Sequence, residues 1–247
     1  MLERHHVSLS IFTIVLLYVP YYQHDTNLKL IMCILIGVTI GSSIPDVDSP
    51  NPGYLTKFLI YRPVLFFGRT LLKKYNISEK HRGFMHSFIG VSTAALFTAV
   101  YLLIILILLD RFNFWYFSSF IFGYIFGSLF HLIQDSATVA GIQFNYPFSN
   151  LTLKGRLRTR IGATREADIF TYFLLVSIFI LSFIIYGLEF ILRNNWITSI
   201  LDKLHILVLM EFFLRNNWMT FHITVIFIMI SWYIFLSFVA KVRWERG

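Results

Sequence analysis

The sequence predicts an all-α, polytopic integral membrane protein, a helical bundle with about six transmembrane helices. Two observations carry that expectation. Of its 247 residues, 57% are hydrophobic and only 14% charged, where a soluble domain carries roughly a quarter. The apolar residues, 27 phenylalanines among them, also collect in charge-poor runs suited to crossing about 30 Å of hydrocarbon.

The runs follow one another with clear punctuation. The first, Val7 to Tyr22, follows a basic start and imitates a secretory signal, but no small-residue cleavage pattern comes after it, so it reads as a retained helix. A tight turn around His24–Asn27 leads to the second, Leu28 to Ile44, which Pro45 ends. These two are short, at 16 and 17 residues. Phe84 to Leu109 and Phe112 to Ile133 give the third and fourth spans, and Ile169 to Leu192 and Thr220 to Ala240 the fifth and sixth. Cys33, the one cysteine, lies inside an apolar run and reads as a packing residue, so no disulfide forms within the chain.

One segment resists this scheme. Leu192-Arg193-Asn194-Asn195-Trp196 recurs as Leu214-Arg215-Asn216-Asn217-Trp218, bracketing a stretch with Asp202, Lys203, His205 and Glu211. Charges in a lipid-facing span are expensive. An interfacial amphipathic helix anchored by Trp196 and Trp218 costs less, with a seventh span as the alternative.

Six spans sort the loops into two sides. Sixteen of the 21 Lys and Arg fall on the side of the two termini, the 45–83 loop and the 134–168 loop; five fall on the other. The positive-inside rule then places both termini in the cytoplasm of a multi-pass cell-membrane protein. Basic loops lying on anionic headgroups account for the net charge of +8 without nucleic acid.

Imidazoles and carboxylates gather on that same side, where apolar runs meet polar loops. His6, Asp46, Asp48, His81, His86, His131, Asp135 and Glu166 come from separate segments, yet the topology brings them to one membrane face. His131 and Asp135 are four apart and share a helix face, as ligands of one metal would. Gly123 and Gly127 continue that face, and small residues let a second helix approach closely. Asp46 and Asp48 follow Pro45 and can point to one side of an extended segment; they also suit a plain helix-terminating turn. His81 and His86 are five apart, so both reach one centre only if the chain bends, as Gly83 permits; a basic helix start with incidental histidines is the alternative. Arg82 is a candidate clamp for a phosphate or carboxylate. His5, His24, His205 and His222 read as interfacial or packing residues. Such a set of nitrogen and oxygen donors suits one or two divalent ions, zinc first, with manganese or magnesium as alternatives.

At these residues the chain resembles the YdjM-like family of membrane-bound metal-dependent hydrolases. The matching pieces are His6, Pro45-Asp46-Val47-Asp48-Ser49-Pro50, His81-Arg82-Gly83-Phe84-Met85-His86-Ser87 and the helix from Gly127 through His131 to Asp135. Thr138-Val139-Ala140-Gly141, Tyr146-Pro147 and Glu166 complete them. The chain departs from the family pattern at Ser49, where His is usual, and at Met85 and Val139, where Thr and Pro are usual.

The resemblance implies a metal-dependent hydrolase with His6, Asp46, Asp48, His81, His86, His131 and Asp135 as ligands. Asp48, Arg82 and Glu166 would be the catalytic residues, Glu166 as a ligand or the general base for the attacking water and Arg82 orienting the substrate anion. The expected partners are membrane lipid and a small-molecule or lipid substrate, a phosphoester near the membrane. Residues 1–170 would form the metal-site domain, and residues 171–247 the remaining helices and the interfacial segment. Two other classes stay open: an ion or metal transporter, and a non-catalytic scaffold using the same ligands.

Overall fold

A computed structural model describes residues 3–21, 27–48, 66, 67, 69, 70, 73, 82–158, 165–192 and 217–246. Among them are six α-helices: α1 (Glu3–Tyr18), α2 (Leu28–Ser43), α3 (Phe88–Leu108), α4 (Phe114–Ser136), α5 (Arg165–Leu192) and α6 (Asn217–Ile234). Four stretches, Phe88–Leu108, Phe114–Ser136, Arg165–Ile185 and Thr220–Val239, are long and apolar enough to cross a membrane, and α1 and α2 are shorter apolar helices. The expected polytopic helical class is what the chain adopts. Helices are the outcome because, in lipid, each backbone N–H and C=O must find its partner within its own segment.

Local chemistry sets the helix starts. Asn27 caps α2 through the Lys29 nitrogen, Ser87 caps α3 through Gly90, and Asn113 caps α4 through Trp115 and Tyr116. Several ends differ from the apolar runs. α1 begins at Glu3, taking His5 and His6 into the helix, and α4 runs on through Gln134 and Asp135 to Ser136. α3 begins only at Phe88, so Phe84–Ser87 form a turn ahead of it. These shifts matter, since the polar residues gained or lost are those of the site. The interfacial segment expected at 197–213 lies outside the described residues.

Two packing arrangements organise the bundle. α2 and α4 meet backbone to backbone: a Cβ on Gly37 or Gly41 would run into the main chain at Phe120 and Tyr124, and one on Gly123 or Gly127 into Ile34 and Val38. Glycine stripes on both helices permit this approach, and the Ser128 hydroxyl donates across it to the Gly41 carbonyl at 2.9 Å. On the other side α1 packs against α5 and α6 through Leu9, Leu16, Phe170, Leu174, Ile228, Trp232 and Phe235. Phe170 stacks on Phe235 with ring centres 4.2 Å apart. α3 turns Leu96, Val100, Ile104 and Ile107 outward, as a lipid-facing helix does.

Among the described residues one two-stranded antiparallel sheet forms, β1 (Leu151–Lys154) with β2 (Arg243–Arg246), Lys154 opposite Arg243. A π-helical turn at Phe235–Val239 precedes β2. The Arg156 nitrogen donates to the Ala240 carbonyl at 2.8 Å, fastening the C-terminal strand to the loop after α4.

Candidate metal centre

Four side chains from three chain regions converge on one point. Asp46 comes from the 3₁₀ turn Pro45–Asp48 after α2, His86 from the turn before α3, and His131 and Asp135 from the last turns of α4. Each offers one donor atom, and these atoms all lie within 4.8 Å of one another. His86 Nε2 stands 3.3 Å from Asp135 Oδ2 and 3.4 Å from Asp46 Oδ1. His131 Nε2 stands 3.5 Å from Asp135 Oδ2 and 3.8 Å from Asp46 Oδ1.

Those separations have a simple meaning. Donors about 2.0–2.1 Å from a tetrahedral ion are about 3.3 Å from each other. The four imidazole–carboxylate edges run from 3.3 to 3.8 Å, at or somewhat above that value, and longer than direct N···O hydrogen bonds, which run to about 3.2 Å. His86, His131 and Asp135 are fully buried, where charge has to be paired: Arg82 holds Asp135 Oδ1, and a cation would draw the remaining donors together. The residues present therefore fit a divalent ion.

Supporting contacts aim the donors. The Nδ1–H of His131 donates to the Ser42 carbonyl at 2.6 Å. This leaves the Nε2 lone pair facing the cluster, where it has no hydrogen-bond partner. The Ser42 carbonyl is within reach only because α2 and α4 are in glycine contact. Asp135 divides its oxygens: Oδ2 faces His86 and His131, while Oδ1 accepts from Arg82 Nη2 at 3.2 Å and lies 3.4 Å from His6 Nε2. The His6 ring stacks on that of His131, centres 3.8 Å apart. Burial would raise the Asp46 carboxyl, but the contact with His86 and the nearby imidazoles of His131 and His6 outweigh it and hold the group well below the usual carboxylate range.

The other expected site residues divide. His6 borders the four-residue cluster without being one of its members. Arg82 reaches inward, donating to Thr138 Oγ1 at 2.7 Å as well as to Asp135. The bend that brings this loop round lies at Arg82 itself, with φ of 63°, where the sequence pointed to Gly83. His81, expected as a ligand, lies outside the described residues, as does the side chain of Asp48.

Glu166, expected as ligand or general base, is exposed in the first turn of α5 and stands outside the cluster. Asp168 from that turn faces inward instead, because residues two apart point to nearly opposite sides of a helix. It accepts from Nε2 of the buried His5 at 2.7 Å. His5 thus has an acidic partner that no local spacing disclosed, since the pair is 163 residues apart. A missed signal that was present is Gly37-Val38-Thr39-Ile40-Gly41, the small-residue counterpart of Gly123 and Gly127.

No curated protein and no solved structure matches the chain. A family model described as YdjM inner membrane protein matches residues 1–244, and with a match spanning nearly the whole length the chain belongs to the YdjM inner membrane protein family.

Proposed function

We propose that the protein is a membrane-bound, metal-dependent hydrolase that cleaves a phosphoester, a phospholipid-like molecule being the substrate class, at the cytoplasmic face. The observation that supports this reading best is the buried cluster of two imidazoles and two carboxylates with donor spacing suited to a divalent ion. Bound there, a zinc, manganese or magnesium ion supplies an activated water and charge stabilisation for a leaving oxygen.

The chain's own residues have separable tasks. Ser42 and His131 fix one lone pair. Arg82 holds Asp135 Oδ1 with one arm and is partly exposed, which leaves guanidinium N–H groups for a substrate anion. Asp46, with 22% of its side chain exposed, is the cluster carboxylate that reaches the surface. The basic side chains that bias the loops toward the cytoplasm would attract an anionic substrate to this end of the bundle.

A non-catalytic metal scaffold is the second reading, favoured by the fact that four protein donors suffice to close a tetrahedron. Metal content of the purified full-length protein, followed by a phosphoester and phospholipid panel with and without chelator, separates the two. Bound metal with chelator-sensitive turnover supports the hydrolase; bound metal with no turnover across the panel supports the scaffold.

A further inference from the structure

Arg82 holds a backbone conformation that its side chain does not favour. Its φ is 63°, in the left-handed region, although Gly83, which would adopt that region freely, stands next to it. What the arginine adds is a two-armed contact. Nη1 donates to Thr138 Oγ1 at 2.7 Å, and Nη2 donates to Asp135 Oδ1 at 3.2 Å. The side chain is only 16% exposed, so water competes weakly for these contacts.

The hydroxyl at the first arm has one possible sense. Thr138 Oγ1 has three partners: Arg82 Nη1, the Gly141 nitrogen at 3.3 Å and the Asp135 carbonyl at 2.7 Å. Guanidinium and amide N–H groups only donate, so the threonine proton goes to the carbonyl and both lone pairs turn to the nitrogens. Thr138 is wholly buried, and its own carbonyl accepts from the Gly141 and Gly155 nitrogens at 3.1 and 2.9 Å. It is a fixed acceptor, and it fixes the guanidinium in turn.

The second arm bears on the metal centre. Oδ1 of Asp135 is held by Arg82, and Oδ2 is the oxygen that faces His86 and His131. A carboxylate held in this way offers an ion one oxygen and is kept from turning to offer two. Zinc takes four donors, whereas manganese and magnesium favour six, mainly oxygens.

We propose that Thr138 and Arg82 set the ion preference of the centre: Thr138 fixes the guanidinium, the guanidinium keeps Asp135 Oδ1, and the aspartate presents one oxygen only, which favours zinc over manganese. The inference rests on the metal centre of the reading above, but not on hydrolysis. Thr138 is a positioning residue that acts through Arg82. A tether that merely joined the turn before α3 to the loop after α4 would change stability and leave the preference alone.

The test is the ratio of Zn²⁺ to Mn²⁺ affinity of the full-length protein, measured by competition with a chromophoric chelator, alongside thermal unfolding. The ratio is read because a change in local charge alters the pull on both ions alike. Thr138→Val removes the acceptor and is expected to narrow the ratio by about tenfold or more, the lower end of the loss for a residue that orients a ligand. Thr138→Ser keeps the hydroxyl and is expected to stay within about threefold of the unsubstituted ratio. Arg82→Lys keeps the charge but has no fork to span both partners, so it is expected to narrow the ratio as Thr138→Val does. Added to Arg82→Lys, Thr138→Val is expected to bring no further change.

An unchanged ratio in either Thr138→Val or Arg82→Lys would overturn the proposal. So would equal narrowing by Val and Ser at 138, or equal weakening of both ions with a lowered unfolding temperature. The expected ratios without turnover would defeat only the hydrolase, and absence of Zn²⁺ binding in the unsubstituted protein would defeat both.

Discussion

Gly127 on α4 lies against Ser42 on α2 so closely that a Cβ on the glycine would sit 2.8 Å from the Ser42 nitrogen. The carbonyl of that same Ser42 accepts the Nδ1 proton of His131, one helical turn beyond Gly127. Helix packing and ligand orientation are thus one feature. Gly127→Leu is expected to cost about 1–3 kcal/mol through overpacking. It is also expected to weaken ion binding, although residue 127 touches no ligand atom. Thermal unfolding and chelator competition on the purified variant check both; a destabilised variant with unchanged ion affinity would separate the two effects.

The four cluster residues should behave as a set. Asp135→Asn, His131→Ala, His86→Ala and Asp46→Asn each remove a donor, and each is expected to lower ion affinity by more than the 10–100-fold or so that a supporting residue costs. Elemental analysis after dialysis against a mild chelator reads this directly. Glu166→Gln is expected to retain the ion, because Glu166 stands outside the cluster; loss of metal in that variant would contradict the geometry.

His5 and Asp168 form a tie between α1 and α5 that does not include the cluster donors. His5→Ala and Asp168→Ala are each expected to destabilise the fold by about 1 kcal/mol, the net worth of a typical hydrogen bond, since Asp168 is 40% exposed. Combined, they should cost little more than one alone, since either removes the same bond. A thermal-unfolding cycle of the two single variants and the double variant measures the coupling, and simple additivity would refute it.

Acidification should release the ion, because protons compete with it for the donor lone pairs. The Asp46 carboxyl is held below its ordinary value of 3.8. Its contribution to stability is full above that ordinary value and is lost only as pH falls through the lower, folded-state value. Metal content measured across a descending pH series is therefore expected to fall; content that does not change with pH would contradict this.

At the exposed edge, Glu245 bridges Lys154 at 3.3 Å and Arg243 at 2.8 Å. Lys154 first, then Arg243, holds its carboxyl below the ordinary value of 4.5. The β1–β2 pairing should therefore be strongest above that value and weaken as pH falls through the depressed one. Hydrogen exchange at the Thr152 and Lys154 amides, in the unsubstituted protein and in Glu245→Gln, checks this; identical exchange in both would dismiss the bridge.

By itself the sequence determined the solvent. Long runs of Phe, Ile and Leu without charge allow only helices that satisfy their own backbone, so the helical membrane class and an approximate helix count were legible. It also determined the local geometry of His131 and Asp135, because spacing of four on a helix fixes a shared face whatever surrounds it. Gly123 and Gly127 announced a close helix contact for the same reason.

Which partners fill those faces was decided only by the tertiary structure. That α2 is the helix against α4, that Asp168 rather than Glu166 turns inward, and that Gln134 meets His6 are contacts between residues more than eighty positions apart. No local period encodes them. They follow from the close approach of glycine-striped backbones and from the cost of burying imidazoles and carboxylates without partners, which has to be met across the whole bundle.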